Sequence, residues 1–253
     1  MAMHEAGATP EGAADQQSAA VAVRQMFNSI APRYDLLNHV LSANIDRLWW
    51  WRTARRFRAI LHDPDATVLD ICCGTGDMTM ALLKHRPVAA RAVIAADFAR
   101  EMLARGAHKF ARPFTKHGSA IALEADALHL PLRAESLDLI TTAFGFRNLA
   151  NYREGLAEFH RVLKPGAQLG ILDFSEPEGL IGKVYQLYFR HVLPAIGRLV
   201  CGKNGAYNYL PASVSKFPPP LEMMAMMREA GFREVSWTPY TFGIAGLFIG
   251  ARR

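Results

Sequence analysis

Ala66-Thr67-Val68-Leu69-Asp70-Ile71-Cys72-Cys73-Gly74-Thr75-Gly76-Asp77 is the stretch that decides the fold of this chain. A short apolar run rich in β-forming residues ends in Asp70, breaks at Gly74-Thr75-Gly76, and gives way to a helical pattern. Strand, tight glycine loop and helix form the turn of an α/β nucleotide-binding fold, where backbone approaches a ligand closely. A dinucleotide fold wants Gly-x-Gly-x-x-Gly, so that the helix N-terminus receives a pyrophosphate. Here an acid sits at the strand end and Thr75 lies between the two glycines. An acid in that place suits a ligand with a cationic end and repels a phosphate. S-adenosylmethionine, with its ammonium and sulfonium groups, has that chemistry.

Working outward, strands are predicted near 67–71, 92–96, 119–124, 137–143 and 168–174, with helices near 76–85, 99–111 and 151–163. The alternation predicts a parallel sheet with helices on both faces. Residues 179–200 then form a long amphipathic stretch bearing Tyr185, Tyr188, Phe189 and His191, interrupted by Pro194. After Pro218-Pro219-Pro220 a helix runs to about Ala230, and Gly231 supplies its stop. Strands at 233–240 and 243–251 are close enough for an antiparallel hairpin at one sheet edge. No internal repeat is present.

At 253 residues, 51% hydrophobic and 21% charged, the chain reads as one soluble α/β domain. It has no apolar run of about 18 residues, the length a transmembrane helix needs. The first 20 residues lack a basic start and an apolar centre, which argues against a secretory signal and for a disordered leader. The expected division is a leader over 1–22 and a single domain over 23–253, with an N-terminal helical lid at 23–62 and a core at 63–253. Cys72, Cys73 and Cys201 make a poor disulfide set and the nine histidines are scattered, so a reducing cytoplasmic setting and no metal site are expected. The net charge is +6, and five arginines lie between Arg47 and Arg58, interleaved with Trp49, Trp50, Trp51 and Phe57. That segment reads either as a helix with inward tryptophans and solvated arginines, or as a surface for nucleic acid or an anionic membrane.

Ligands of open α/β sheets bind at the carboxyl ends of the strands. The first end carries Asp70 and the loop Gly74, Thr75, Gly76. Asp97 closes the second, where a carboxylate chelates a ribose diol; it would equally cap the next helix. The third runs into Asp126-Ala127, where a carboxylate and a backbone N–H suit the edge of adenine, or where Asp126 caps a turn before Leu130-Pro131. The fourth ends in Phe144-Gly145-Phe146-Arg147-Asn148, with Gly145 permitting close approach of the chain to a ligand.

The loop from Val68 to Thr79, Asp97-Phe98, Asp126-Ala127 and the closing hairpin resemble a class I S-adenosylmethionine-dependent methyltransferase. More narrowly, the chain resembles the demethylmenaquinone/ubiquinone-biosynthesis C-methyltransferase family. The resemblance rests on Met26-Phe27-Asn28-Ser29-Ile30-Ala31, Tyr34-Asp35-Leu36-Leu37-Asn38, Leu41-Ser42, Arg47-Leu48-Trp49, Phe144 to Asn148, Arg161 to Gly166 and Phe174-Ser175, and it covers about residues 23 to 251. Departures are Cys72 at the motif's first glycine, Leu37 for Met, Asp173 for Glu and Ala143 for a hydroxyl residue.

The resemblance implies a Rossmann-like fold with a seven-stranded, mostly parallel sheet whose last strand is antiparallel. It implies S-adenosylmethionine held by Asp70, Gly74, Thr75, Gly76, Asp97, Asp126 and Ala127, and C-methylation of a prenylated quinol. Arg147 would anchor the acceptor or its anion and Asn148 would orient the ring hydroxyl or a water, unless the two are a structural pair satisfying loop carbonyls, and Tyr34 would reach in from the lid. Residues 179–200, with Leu180, Ile181, Val184, Leu187 and Tyr188 at helical spacing, could line a channel for the isoprenoid tail. The expected partner is a lipid-soluble polyprenyl quinol and not nucleic acid, with peripheral association at the inner membrane face and a homodimer left open. The adjacent cysteines favour demethylmenaquinol over 2-methoxy-6-polyprenyl-1,4-benzoquinol.

Competing classes have their own requirements. A base-amine methyltransferase usually carries an Asn/Asp-Pro-Pro-aromatic loop where this chain has Ala143 to Asn148, and a nicotinamide oxidoreductase fails on the glycine pattern and on Asp70. A cofactor-binding scaffold without turnover stays open.

Overall fold

In the computed structural model, residues 7–8, 10, 13–33, 42, 44–110, 117–177 and 213–253 are described. In chain order the elements are α1 (Gln16–Ile30), α2 (Ile45–Arg56), α3 (Arg58–His62), β1 (Val68–Ile71), α4 (Asp77–Leu83), β2 (Val93–Asp97), α5 (Arg100–Phe110) and β3 (Ala120–Glu124). They continue with β4 (Leu137–Ala143), α6 (Tyr152–Val162), β5 (Leu163–Phe174), α7 (Pro220–Glu229), β6 (Phe232–Tyr240) and β7 (Ala245–Arg252).

The strands form one sheet in the order β3-β2-β1-β4-β5-β7-β6. The first five are parallel, and β7 runs antiparallel to both β5 and β6. The fold is therefore the seven-stranded class I arrangement that the sequence pattern implies. From β1 the chain steps outward through β2 and β3, then returns across β1 to β4. That reversal of strand order opens a crevice at the carboxyl ends of β1 and β4.

Side-chain alternation along the strands builds two layers. Leu69, Ile71, Ile140, Leu169, Ile171 and Phe248 pack with Tyr152, Leu156 and Phe159 of α6 and with Met223 and Met227 of α7. Val68, Leu139, Leu172, Leu247 and Ile249 face the other way, onto Trp49, Ala54, Phe57, Leu61, Met78 and Leu82. Each strand thus contributes to both cores, as a parallel sheet covered on both faces requires.

Two boundaries differ from expectation. Residues up to 22 were expected to be a disordered leader, but α1 starts at Gln16. The Asp15 carboxylate accepts from Ser18 N–H at 2.8 Å and Ser18 Oγ accepts from Asp15 N–H at 3.0 Å, a reciprocal cap that secures the first turn. Strand β5 begins at Leu163, five residues before the predicted 168, because Leu163 pairs with Leu137 and Lys164 Nζ binds both Asp138 oxygens at 2.7 and 2.9 Å. The proposed lid residue Tyr34 and the amphipathic stretch 179–200 lie outside the described residues.

Candidate functional site

The crevice holds a cleft of about 950 Å³, open mouth included, and loops after the first four strands wall it. After β1, Cys72, Gly74 and Gly76 adopt φ values of 56°, 54° and 85°. Gly76 N–H closes the turn on Cys73 O at 2.8 Å, and Cys73 N–H ties it to Ala96 O at 3.0 Å. A Cβ on Gly106 of α5 would stand 3.2 Å from Thr75 C and 3.3 Å from Gly74 O, so that helix packs directly on the loop.

Asp97, at the end of β2, is buried and accepts Gly74 N–H and Ala99 N–H, each at 2.8 Å. It therefore does both things its position allows: it caps the chain entering α5 and lines the cleft. Burial pushes its pKa up to about 6 despite those N–H groups. Asp126 and Ala127 line the cleft after β3, and Asp126 Oδ1 accepts Leu128 N–H at 2.9 Å. After β4, Phe144 takes a φ of 58°, and Phe144, Gly145 and Asn148 form the opposite wall. The close approach at Gly145 is to Cys72, whose Cβ a side chain there would overlap.

Gly74, Thr75, Asp97, Asp126, Ala127 and Asn148 thus come together on one surface, whereas Asp70, Gly76 and Arg147 do not line it. By strand alternation Asp70 shares the α4 side of the sheet with Val68. It is fully buried, accepting from Thr79 Oγ1 at 2.5 Å and Thr141 Oγ1 at 3.0 Å, and burial raises its pKa to about 7. Arg147 is sealed beneath the β4 loop. Its N–H and Nη1 donate to Asp173 at 3.0 and 2.9 Å, Nη1 also donates to Phe144 O, and its guanidinium lies over Phe174 at 5.2 Å. Burial also holds the Cys72 and Cys73 thiols well above their ordinary range, with Asp97 adding to the shift, so neither is an activated nucleophile.

Other lining residues were not singled out from the sequence. Asp77 opens α4 and pairs with Lys109 Nζ at 2.9 Å; its signal was its place directly after Gly76. Phe27 of α1, Trp50 of α2, Phe98 and Met102 supply apolar wall. Behind Phe144 an aromatic stack rises through Phe174, at 4.5 Å, and Trp49, at 5.7 Å. Helix α1 is moored across the cleft by Arg24–Glu124 at 2.6 Å and by Asn28 Oδ1 accepting Glu101 N–H at 3.1 Å. Among the described residues, Asp77, Asp97 and Asp126 line the cleft and no Lys, Arg or His does. Such a site favours a cationic ligand with hydroxyl and amine donors and disfavours phosphates.

A model of the ubiE/COQ5 methyltransferase family matches residues 13–252. The demethylmenaquinone methyltransferase of Deinococcus radiodurans is 48% identical over 240 residues, covering 94% of this chain and 96% of the relative. The ubiquinone/menaquinone biosynthesis C-methyltransferase UbiE of Geobacter sulfurreducens is 39% identical over 232 residues, covering 91% and 88%. Among solved structures, a SAM-dependent methyltransferase of Thermotoga maritima superposes with a TM-score of 0.61 at 18% identity, covering 91% of this chain and 100% of that one, a likeness of fold.

Proposed function

The chain belongs to the ubiE/COQ5 methyltransferase family, and from that premise we propose that it moves a methyl group from S-adenosylmethionine to a ring carbon of demethylmenaquinol. The observation that carries the reading is the cleft itself, with three carboxylates and, among the described residues, no lining cation, beside a wall of Phe27, Trp50 and Phe144. The first group suits a cationic nucleoside, the second a flat apolar ring.

When bound, S-adenosylmethionine supplies the methyl group on a sulfonium whose positive charge disappears as the new bond forms. The chain's own groups fit it. Asp97, its plane fixed by two backbone N–H groups, takes the ribose hydroxyls. Asp126 and the Ala127 N–H take the adenine edge, and Gly74-Thr75 with Asp77 face the amino-acid end. Asp70 acts from behind, holding α4 through Thr79 and β4 through Thr141.

On the acceptor side, Asn148 Oδ1 is buried with no hydrogen-bond partner among the described residues. We assign to it the hydrogen bond from the ring hydroxyl, or from the water that removes its proton, which makes the ring carbon nucleophilic. Arg147 is a positioning residue: its pairing with Asp173 holds the loop that presents Phe144 and Asn148. Phe144 and Trp50 exclude water, which favours a transition state in which charge is neutralised. Because a polyprenyl quinol resides in the bilayer, the reading includes peripheral association with the membrane.

The test is methyl transfer from labelled S-adenosylmethionine to reduced demethylmenaquinol and to 2-methoxy-6-polyprenyl-1,4-benzoquinol. Label in the naphthoquinol alone is expected. Label in both would make the enzyme serve both pathways, the second reading that the name of the Geobacter relative favours. Cofactor binding with no label in either would overturn the proposal in favour of a scaffold.

A further inference from the structure

We propose that the outward face of α2, together with the β6–β7 turn, docks the protein on an anionic lipid bilayer; the proposal rests on the quinol reading for what the bilayer delivers. Helix α2 buries Trp49, Trp50, Thr53 and Ala54. Its opposite face carries apolar side chains too: Leu48 is 50% and Trp51 45% exposed. A step of about 100° per residue brings Leu48, Trp51 and Arg55 onto one outward stripe, and Arg55 lies over Trp51 at 5.2 Å. Arg47, Arg52, Arg55 and Arg56 of α2 and Arg58 beyond it are all exposed, while the helix's one acid, Asp46, is buried and occupied by Arg47 N–H.

The β6–β7 turn stands beside this face. Trp49 Nε1 donates to Thr241 Oγ1 at 2.8 Å, and the Arg52 guanidinium lies over the Tyr240 ring at 4.3 Å. Directly after those two anchors Phe242 is 78% exposed, on backbone with a φ of 58°. A solvent-facing phenylalanine on strained backbone at a turn tip gains nothing from the core. Along the chain the acid nearest to Phe242 is Glu234, at the far end of β6 and paired with Arg253, while Glu176 follows Ser175, whose hydroxyl donates to Gly243 O.

Arginines alone would serve nucleic acid equally well, and it is the apolar content that separates the two. Leu48, Trp51 and Phe242 have no phosphate to meet, but they match the acyl–headgroup boundary under a ring of cations. The placement also connects to the cleft: Trp50, on the inward side of α2, lines it, and Trp49 leans on Phe144. A prenyl tail leaving the bilayer beside α2 has one helix thickness to cross. Among the described residues no helix is long and apolar enough to span a membrane, so the contact is interfacial.

The experiment is sedimentation of the full chain with phosphatidylcholine vesicles, with and without phosphatidylglycerol. The wild type is expected to bind vesicles containing phosphatidylglycerol. Each arginine near an anionic surface is worth roughly fivefold, so R47Q/R55Q should bind about 25-fold more weakly. L48S/F242S should lose binding to the vesicles containing phosphatidylglycerol, while both variants keep wild-type melting and methyl transfer to a short-chain, water-soluble acceptor. A wild type that ignores phosphatidylglycerol, variants that bind as it does, or binding of duplex DNA in place of vesicles would each overturn the proposal. Methylation of the soluble acceptor without vesicle binding would sink the docking surface alone; vesicle binding without methylation of any quinol would sink the functional reading alone.

Discussion

Replacing Gly145 by Ala sets a methyl group against the side chain of Cys72. The new Cβ would overlap Cys72 Cβ and stand 3.3 Å from both Cys72 O and Thr142 Oγ1. Cys72 cannot swing aside, because its Cβ is fixed to backbone at φ 56° in a turn held by Cys73 N–H on Ala96 O. Relief requires the β1 or β4 loop to move, and overpacking of that kind costs about 1–3 kcal/mol. Backbone involvement puts the cost near the top of that range. Alanine recovers about 0.5 kcal/mol by restricting the unfolded chain, since φ at 145 is an ordinary −113°. The net loss is about 2 kcal/mol. Cys72→Gly alone relieves a left-handed strain of about 1 kcal/mol and gives back a similar amount in chain flexibility and lost burial. In the double variant the overlapping atom is gone, so most of the Gly145→Ala loss should return, a coupling of about 2 kcal/mol. Urea unfolding of the three variants measures it, and calorimetry with S-adenosylmethionine shows whether affinity follows stability. Additive losses, or a neutral Gly145→Ala, would refute the close approach of Gly145 to Cys72.

Further expectations follow from the buried charges. Asp173→Asn weakens the three hydrogen bonds that Asp173 accepts, from Arg147 N, Arg147 Nη1 and Phe174 N, and leaves a buried guanidinium; a loss of about 3–5 kcal/mol is expected in denaturant unfolding. Asp97→Asn should weaken S-adenosylmethionine about 100-fold in calorimetry, the value of two hydrogen bonds to a charged group at about 1.5 kcal/mol each. Asp70 has a folded pKa raised to about 7 from 3.8, so its contribution is fully present below pH 4 and is lost as pH rises through 7. Wild-type stability relative to Asp70→Asn should therefore fall by up to roughly 1.4 kcal/mol per pH unit across that window. A difference independent of pH would show that the Thr79 and Thr141 hydroxyls keep the carboxylate ionised throughout.

What the sequence revealed and what it hid divide along the range of the interactions. The β1 strand, the glycine turn and α4 were legible because their signals lie within a dozen residues of one another. Asp97 and Asp126 were legible as cleft residues because strand ends converge wherever a sheet is parallel. The setting of Asp70 was not, since it depends on Thr79 from the next helix and on Thr141, 71 residues away. Arg147 reads in sequence as a polar group just past a strand, open either to a substrate or to loop carbonyls. Only the β4–β5 register, which sets Ala143 opposite Leu172, brings Asp173 beneath it. Phe27 and Trp50 belong to the N-terminal segment expected as a lid, but which of its side chains line the cleft is not encoded in local pattern. Helix α1 is a different case: Asp15-x-x-Ser18 was a readable start signal, outweighed by the alanine-rich composition around it.

Cys72 and Phe144 connect these points. Both are non-glycine residues at positive φ, and they stand at the ends of the two strands that flank the sheet's reversal. Each conformation costs about 1–2 kcal/mol and persists only where its surroundings hold it. Cys72 is held by the bare face of Gly145, and Phe144 by Phe174, Trp49 and the Arg147 bond to its carbonyl. Backbone strained on both sides of one crevice places the acidic floor and the aromatic wall at a fixed separation before any ligand arrives. Since Trp49 both supports Phe144 and bonds Thr241, a change at Thr241 reaches the wall through a single side chain. The outer residues Leu48, Trp51 and Phe242 lie beyond that chain of contacts, so the surface of α2 can be altered while the cleft keeps its shape.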